Sequence, residues 1–261
     1  MKNIQYGSHK TDLSDLVFIK KVLKSNHITQ GKYVDDFENR VKNYLKCKYT
    51  LSCNSGTAAI HLAFSALEIN KHSVIVMPIL NFISSYRVAK LLKAKVFFAD
   101  VDPITGQMTP KNVEDCIRIN KLNKIDLLVT MYLGGDPDNC YNFHKLKKKY
   151  NFKILEDACH AFGAEYKHKN KIIKIGSCTH SDIAIFSFHA IKTITTGEGG
   201  MLSTNNKNFF LKAKISRSHG ILRKKNSHWK YLISDFGMNY RLSDLNCALG
   251  ISQLIKINKF L

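Results

Sequence analysis

Residues 182–204 read DIAIFSFHAIKTITTGEGGMLST, and this stretch decides both the fold and the candidate chemistry of the chain. The apolar run at residues 182–188 predicts a buried strand, the polar and glycine-rich residues after it predict a loop, and a second strand follows. The loop carries His189 and Lys192. A lysine in a loop after a buried strand is placed to lose water, and a desolvated amine can form a Schiff base with an aldehyde. Most lysines are solvated surface charges, so Lys192 needs partners elsewhere in the chain before it indicates a function.

Apolar runs of strand length recur along the chain and alternate with helical patterns. The apolar runs are 74–77, 95–99, 125–132, 153–155, 183–188 and 201–203, and the helical patterns include 58–67, 84–92 and 142–150. Continuously apolar strands that alternate with helices predict an α/β fold with a mostly parallel sheet covered by helices on both faces. Ligands in such folds bind at the carboxyl ends of the strands, so we expect the site directly after residues 155 and 188.

Composition and charge exclude several classes of protein. The chain has 261 residues, is 44% hydrophobic and contains neither a bilayer-length apolar run nor an N-terminal signal pattern, which predicts a cytoplasmic globular protein with no membrane partner. Seven cysteines without CxxC spacing argue against a disulfide framework and a zinc site, so no metal is expected. The net charge of +20 is spread along the chain without a nucleic-acid-binding motif. We therefore expect no nucleic-acid partner, although the positive field suits phosphates and nucleotides.

Two further motifs supply partners for the reactive lysine. Residues 54–59 read NSGTAA before a helical pattern, and a capped helix N-terminus beside a glycine attracts an anion. Residues 155–166 read LEDACHAFGAEY, so Glu156 and Asp157 follow a buried strand, where a carboxylate can hold a cation or a protonated ring nitrogen. His160, three residues later, can hydrogen-bond an adjacent group. Taken alone, each of these two motifs is also consistent with an ordinary helix cap that has no role in binding.

In chain order the three motifs give a phosphate cradle, an anionic partner for a ring nitrogen and a Schiff-base lysine. These are the parts that an enzyme dependent on pyridoxal 5′-phosphate (PLP) needs. Phe82 follows another predicted strand and could stack on the pyridine ring, while packing in the core is the ordinary role of a lone phenylalanine.

The motifs together resemble the DegT/DnrJ/StrS-type sugar aminotransferases, which belong to the fold-type I (aspartate aminotransferase-like) PLP enzymes. The resemblance runs from about Tyr6 to the last residue and rests on NSGTAAIHLA, EDACHAFGAEY, FSFHAIKTITTGEGG, HITQGKYVDDFE, RSHGILRKK and DFGMNYRLSDLNCALGISQL. It implies a PLP-binding large domain at residues 31–240, preceded by an N-terminal helical segment at residues 1–30. It also implies that residues 241–261 begin a helix leading to a C-terminal small domain that is largely absent.

The resemblance also implies roles for single residues around the cofactor. Lys192 would carry the Schiff base with PLP and shuttle a proton, and Asp157 would pair with the pyridinium nitrogen. His160 would contact the ring hydroxyl, and Phe82 would stack on the ring. Three residues would bind the phosphate: Gly56, Thr57 and Ser187.

Further residues are implied in subunit assembly and in substrate binding. Asn239 would reach the phosphate of the neighbouring subunit's cofactor, which makes the expected active unit a homodimer with shared active sites. Six positions match those that line the sugar-nucleotide pocket of the family: Tyr6, Thr29, Gln30, Gly31, Lys32 and Ser55.

The combination of motifs is most similar to family members of the pseudaminic-acid pathway. It implies transfer of an amino group from L-glutamate to C4 of a UDP-linked 4-keto-6-deoxy-N-acetylhexosamine. Two alternatives stay open: a related aminotransferase for a different sugar, and a PLP-binding remnant with little activity. Sugar 3-dehydratases similar to this family carry histidine where this chain has Lys192, so the lysine favours transamination. An NAD(P)-linked oxidoreductase lacks support because no GxGxxG follows a strand.

Overall fold

The computed structural model describes residues 7–224 and 227–261. Its strands are β1 Tyr49–Cys53, β2 Val74–Pro78, β3 Lys95–Ala99, β4 Leu127–Met131, β5 Lys153–Asp157, β6 Glu165–His168, β7 Lys171–Lys174, β8 Ile183–Ser187, β9 Gly200–Thr204, β10 Ile221–Lys224 and β11 Ser227–Ile233. Its α-helices are α1 Leu13–Leu23, α2 Lys32–Leu45, α3 Gly56–Ala66, α4 Ser84–Leu91, α5 Pro110–Ile119, α6 Cys140–Tyr150, α7 Lys207–Ser216 and α8 Asp244–Ile255. Short 3₁₀ turns occupy Leu133–Gly135 and Ile257–Lys259.

Seven strands form one central sheet in the order β1-β9-β8-β5-β4-β2-β3. The five strands from β8 to β3 run parallel, whereas β9 lies antiparallel between β8 and β1. The prediction of a mostly parallel α/β sheet is therefore confirmed. Strand β9 is reached from β8 by the loop at residues 188–199, which contains no helix, whereas parallel crossovers commonly carry a helix.

Alternating side chains of the strands feed two hydrophobic layers on opposite faces of the sheet. Ile183 and Ile185 of β8 pack on the face covered by α3, α4 and α7, while Ala184 and Phe186 pack on the other face with α2 and α8. A third cluster joins α5 and α6 to β2 and β4 on that second face. Helices thus cover both faces, as the continuously apolar strands predict.

The N-terminal helices are tied to α8 by buried carboxylates. Asp15 of α1 is 2% exposed and accepts hydrogen bonds from Gln253 Nε2 and Lys256 Nζ of α8. Asp244, the first residue of α8, is fully buried and accepts the backbone N–H groups of Gly31 (2.8 Å) and Tyr33 (3.0 Å). Helix α1 lies in the N-terminal segment expected to be helical, and both α1 and α2 pack on α8, the helix expected in residues 241–261. The domain boundaries near residues 30 and 240 stay a prediction.

Several elements of the structure were not predicted from the sequence. Strand β1, helices α5 and α7 and the hairpins β6–β7 and β10–β11 have mixed or charged sequences. Strand β1 pairs with β9, far along the chain, whereas each hairpin pairs two neighbouring segments. No helix in the described ranges is long and apolar enough to cross a bilayer.

Candidate active site

The carboxyl ends of β5 and β8 and the start of β9 lie together at one end of the central sheet. Strand β5 ends at Asp157, which is opposite Ile185 of β8, and β8 ends two residues later at Ser187. Gly200 of β9 connects this end to β1, because it pairs with both Ser187 and Cys53. The motifs predicted to act together therefore do lie at one edge, where parallel folds bind ligands.

The N-terminus of α3 forms a cradle beside Ser187. Ser55 caps the helix, since its hydroxyl accepts the N–H of Ala58 at 3.0 Å. A Cβ at Gly56 would lie 3.0 Å from Cβ of Ser187 and 3.4 Å from Sγ of Cys159, so only glycine leaves this space open. The first turn of α3 holds no acidic side chain, and its free N–H groups and helix dipole suit a phosphate.

Asp157 presents a buried carboxylate to this cradle's side of the sheet. The residue is 3% exposed, and it accepts the N–H of Cys159 (3.3 Å) and the hydroxyl of Ser85 (3.3 Å). Within the described ranges no lysine, arginine or histidine forms a salt bridge with it. A buried carboxylate is expensive without a cation, so Asp157 fits a ligand that brings a protonated nitrogen.

Lys192 lies in the loop between β8 and β9. The loop is closed at Phe188, which donates to the carbonyl of Gly199 (2.8 Å) and accepts from the N–H of Thr196 (3.0 Å). Lys192 is half-buried and lines a cavity of about 260 Å³ together with the segment at residues 8–10 and with Gln253.

His160 lies between the two charged candidates. Burial lowers the pKa of its imidazole, and the positive charge of Lys192 lowers this pKa further, while the negative charge of Asp157 raises it. Lys192 and Asp157 therefore both lie within electrostatic range of the His160 ring. A neutral His160 can donate or accept a hydrogen bond there.

The remaining predicted cofactor residues are exposed in the described chain. Phe82 is 70% exposed in the loop after β2, and Thr57 is exposed on the first turn of α3. Asn239 is also exposed, and its carbonyl accepts Nδ2 of Asn54 at 3.3 Å, which places it beside the cradle. The stacking role of Phe82 and the intersubunit role of Asn239 stay predictions.

The predicted substrate loop lines a different cavity from Lys192. Thr29 and Lys32 are exposed, and Thr29 pairs with Ser243. Gln30 and Gly31 line a second cavity, of about 520 Å³, whose walls include four basic side chains: Lys214, Arg217, His219 and Arg241. Lys192 is not among the residues lining this cavity. Of the other substrate candidates, Ser55 lies at the cradle and Tyr6 falls outside the described residues.

The structure adds two residues that the sequence reasoning missed, Ser85 and Cys159, which contact Asp157 or Gly56. Ser85 follows another strand end, and that position was its only available signal. Over residues 7–224 and 227–261, no three His, Cys, Asp or Glu side chains are arranged to hold a metal ion.

Comparison with known proteins agrees with this geometry. The sequence profile of the DegT/DnrJ/EryC1/StrS aminotransferase family matches residues 11–261. The UDP-4-amino-4,6-dideoxy-N-acetyl-beta-L-altrosamine transaminase of Campylobacter jejuni subsp. jejuni serotype O:23/36 is 40% identical over 255 residues. The match covers 98% of this chain and 65% of that relative, so the chain spans about two thirds of its length.

Solved structures with the same fold cover the chain almost completely. An aminotransferase involved in the biosynthesis of pseudoaminic acid from Helicobacter pylori superposes with a TM-score of 0.87 at 29% identity, over 99% of this chain and 67% of that one. An aminotransferase from Psychrobacter cryohalolentis gives 0.88 at 27% identity, over 97% and 64%. The resemblance inferred from the motifs is thus confirmed: the chain belongs to the DegT/DnrJ/EryC1/StrS aminotransferase family.

Proposed function

We propose that this chain binds PLP and acts as a nucleotide-sugar aminotransferase. The observation that carries the proposal is the buried Asp157, which has no salt-bridge partner in the described ranges and ends β5 beside β8, the strand whose following loop carries the half-buried Lys192. The cradle of Ser55, Gly56 and Ser187 lies at the same edge. Together they fit a ligand with a phosphate, an aldehyde and a basic ring nitrogen.

Different residues of the site would bind different parts of the cofactor. When bound, PLP supplies an aldehyde that condenses with amines and a ring that withdraws electrons. Asp157 would pair with the protonated ring nitrogen, because opposite charges at contact distance attract. The N–H groups at the start of α3 and the hydroxyl of Ser187 bind the phosphate. His160, kept neutral by burial and by Lys192, hydrogen-bonds the ring hydroxyl.

Lys192 supplies the amine and moves the proton. Its loop is closed at Phe188, which holds the loop at the end of β8. A positioned amine that would move a proton between Cα of the donor amino acid and the cofactor contributes on the order of 10²–10⁴-fold to the rate.

The proposal also extends to the specific substrates and to the assembly of the enzyme. We infer L-glutamate as amino donor and C4 of a UDP-linked 4-keto-6-deoxy-N-acetylhexosamine as acceptor, in pseudaminic-acid biosynthesis in the cytoplasm. Support comes from the 40% identity to the Campylobacter jejuni transaminase. Gln30 and Gly31 line one cavity and Lys192 lines another. In the homodimer we propose, the partner subunit brings its own copy of this loop and its own Asn239 to the site of Lys192.

The test starts with the cofactor and continues with the sugar. Purified protein mixed with PLP should gain the visible absorbance of lysine-bound PLP, and Lys192→Ala should lose it. Lys207→Ala, which changes an exposed lysine on α7, serves as the control and should keep the band. A wild-type protein without the band at any pH contradicts the proposal.

The band alone does not identify the sugar. Formation of 2-oxoglutarate from glutamate with a UDP-4-keto sugar supports the finer assignment, whereas activity only with another nucleotide sugar replaces it. Release of ammonia from the sugar without glutamate consumption indicates a dehydratase instead. Binding of PLP without turnover indicates a remnant.

A further inference from the structure

A second carboxylate, Glu156, lies beneath the site and has no part in the proposed chemistry. It precedes Asp157 on β5, so the two side chains point to opposite faces of the sheet. Asp157 faces Ser85 and Cys159, whereas Glu156 points into the layer on the other side. Glu156 is only 4% exposed.

Both oxygens of Glu156 are held by donors from other segments. Tyr132, in the loop after β4, donates its hydroxyl to Oε1 at 3.0 Å and itself accepts the thiol of Cys140. Gly176, between β7 and β8, donates its N–H to Oε2 at 3.3 Å. Gly176 has φ +85, and a Cβ there would overlap the ring of Phe186, so its backbone conformation depends on glycine. Glu156 therefore ties the end of β5 to the segments beside β4 and β8.

No cation compensates this buried carboxylate in the described part of the chain. The groups that face it are Tyr132 and Cys140 from the β4–α6 region, Tyr166 of β6, and Cys178 and Ser181 from the loop before β8. Burial raises the pKa of Glu156 to about 7, although hydrogen bonds from Tyr132 and Gly176 lower it. An apolar side chain of similar size would avoid the cost of burying this group. Its hydrogen bonds from Tyr132 and Gly176 fix the end of the strand that carries Asp157, and this offers a reason for keeping a carboxylate there.

We propose that Glu156 is a positioning residue, which holds the end of β5 so that Asp157 meets the ring nitrogen of the cofactor; this inference rests on the proposed function. Asp157 is the last residue of β5, and the chain turns away directly after it. The last anchored side chain before Asp157 is therefore that of Glu156. If the anchor loosens, Asp157 shifts, and its hold on the proton of the ring nitrogen weakens.

Two variants remove the anchor in different ways. Glu156→Gln keeps the size but turns one acceptor into a donor that faces Tyr132 or Gly176, and Tyr132→Phe removes one donor without touching β5. Asp182→Asn is the matched control, because Asp182 accepts the N–H of Ile154 at 2.8 Å and so anchors the opposite end of the same strand.

The readouts are the pH titration of the bound-cofactor absorbance, the Kd for PLP and the Tm. We expect both anchor variants to shift the absorbance midpoint by half a pH unit or more and to raise the Kd several-fold. Asp182→Asn should lower Tm while leaving midpoint and Kd unchanged. A wild-type band with unchanged titrations in Tyr132→Phe and Glu156→Gln overturns the positioning role, and so does an equal shift in Asp182→Asn. Absence of the band from the wild-type protein overturns the proposed function, a separate result.

Discussion

Gly200 offers a direct test of the cradle, because a side chain at this position would displace the backbone of Ser55 and Gly56 at the start of α3. Gly200 is buried in β9, and a Cβ there would overlap the carbonyl oxygen of Ser55, lying 2.5 Å from its carbonyl carbon and 2.9 Å from the N of Gly56. All three atoms belong to the backbone, so no side chain can rotate away. Carbon atoms in contact lie about 3.5–4.0 Å apart, so Gly200→Ala must move the backbone of Ser55 by about 1 Å.

The magnitude follows from two losses. Overpacking costs about 1–3 kcal/mol, and weakening the Ser55 cap adds about 1 kcal/mol, so we expect the free energy of unfolding to fall by roughly 2–4 kcal/mol. Losing one backbone N–H to a charged phosphate costs about 1.5–3 kcal/mol, so the Kd for PLP should rise about tenfold or more. Urea denaturation measures the first quantity, and titration of the cofactor absorbance measures the second.

Gly250→Ala provides the control for general overpacking. A Cβ at Gly250 of α8 would lie 2.7 Å from ring atoms of Phe37 and 2.8 Å from Cγ2 of Thr196, so it overlaps side-chain atoms only and does not touch the backbone N–H by which Thr196 closes the Lys192 loop. This variant should lose stability but keep its affinity for PLP. The reasoning is refuted if Gly200→Ala binds PLP as tightly as wild type, or if Gly250→Ala weakens binding to the same degree.

Two predictions concern the dependence of stability on pH. Burial raises the pKa of Glu156 from 4.5 to about 7, so its contribution is complete below pH 4.5 and is lost as pH rises through 7. The free energy of unfolding of wild type relative to Glu156→Gln, from urea denaturation at several pH values, should therefore fall by roughly 3 kcal/mol over that window, and a flat difference contradicts it. His180 acts in the opposite direction: burial, and then the charges of His144 and His168, lower its pKa from 6.5 to about 4, so its contribution is complete above pH 6.5 and is lost toward pH 4. Because His180 is partly exposed, His180→Gln should remove only about 1 kcal/mol of this acid loss in the same experiment, and an unchanged acid limb in His180→Gln contradicts the assignment.

Much of the site could be predicted from local sequence because its parts are local. Ser55 caps α3 through a hydrogen bond to Ala58, and Lys192 follows the apolar strand β8 by a few residues. The predicted strands at residues 74–77, 95–99 and 183–188 differ from the observed ones by at most one residue at an end. Long apolar runs and capping patterns carry this information without any distant partner.

Other features depend on partners far along the chain. Strand β1 has a mixed sequence and pairs with β9, far along the chain, and Ser85 reaches Asp157 from a different strand end. The loop at Gly31 is held by Asp244, more than two hundred residues away. Pairings of this kind need the assembled sheet and its helices, so local patterns did not predict them.

The sequence by itself determined that a nucleophilic lysine, a helix N-terminus and a pair of carboxylates would meet at the strand ends, because apolar runs and caps act over short distances. Apolar runs and caps did not decide between the two carboxylates, although the family resemblance assigned the ring nitrogen to Asp157. A strand sends consecutive side chains to opposite faces, and only the packed sheet shows which face carries the cradle. The tertiary structure turns Asp157 toward Ser85 and the cradle, and it buries Glu156 against Tyr132 and Gly176 beneath them.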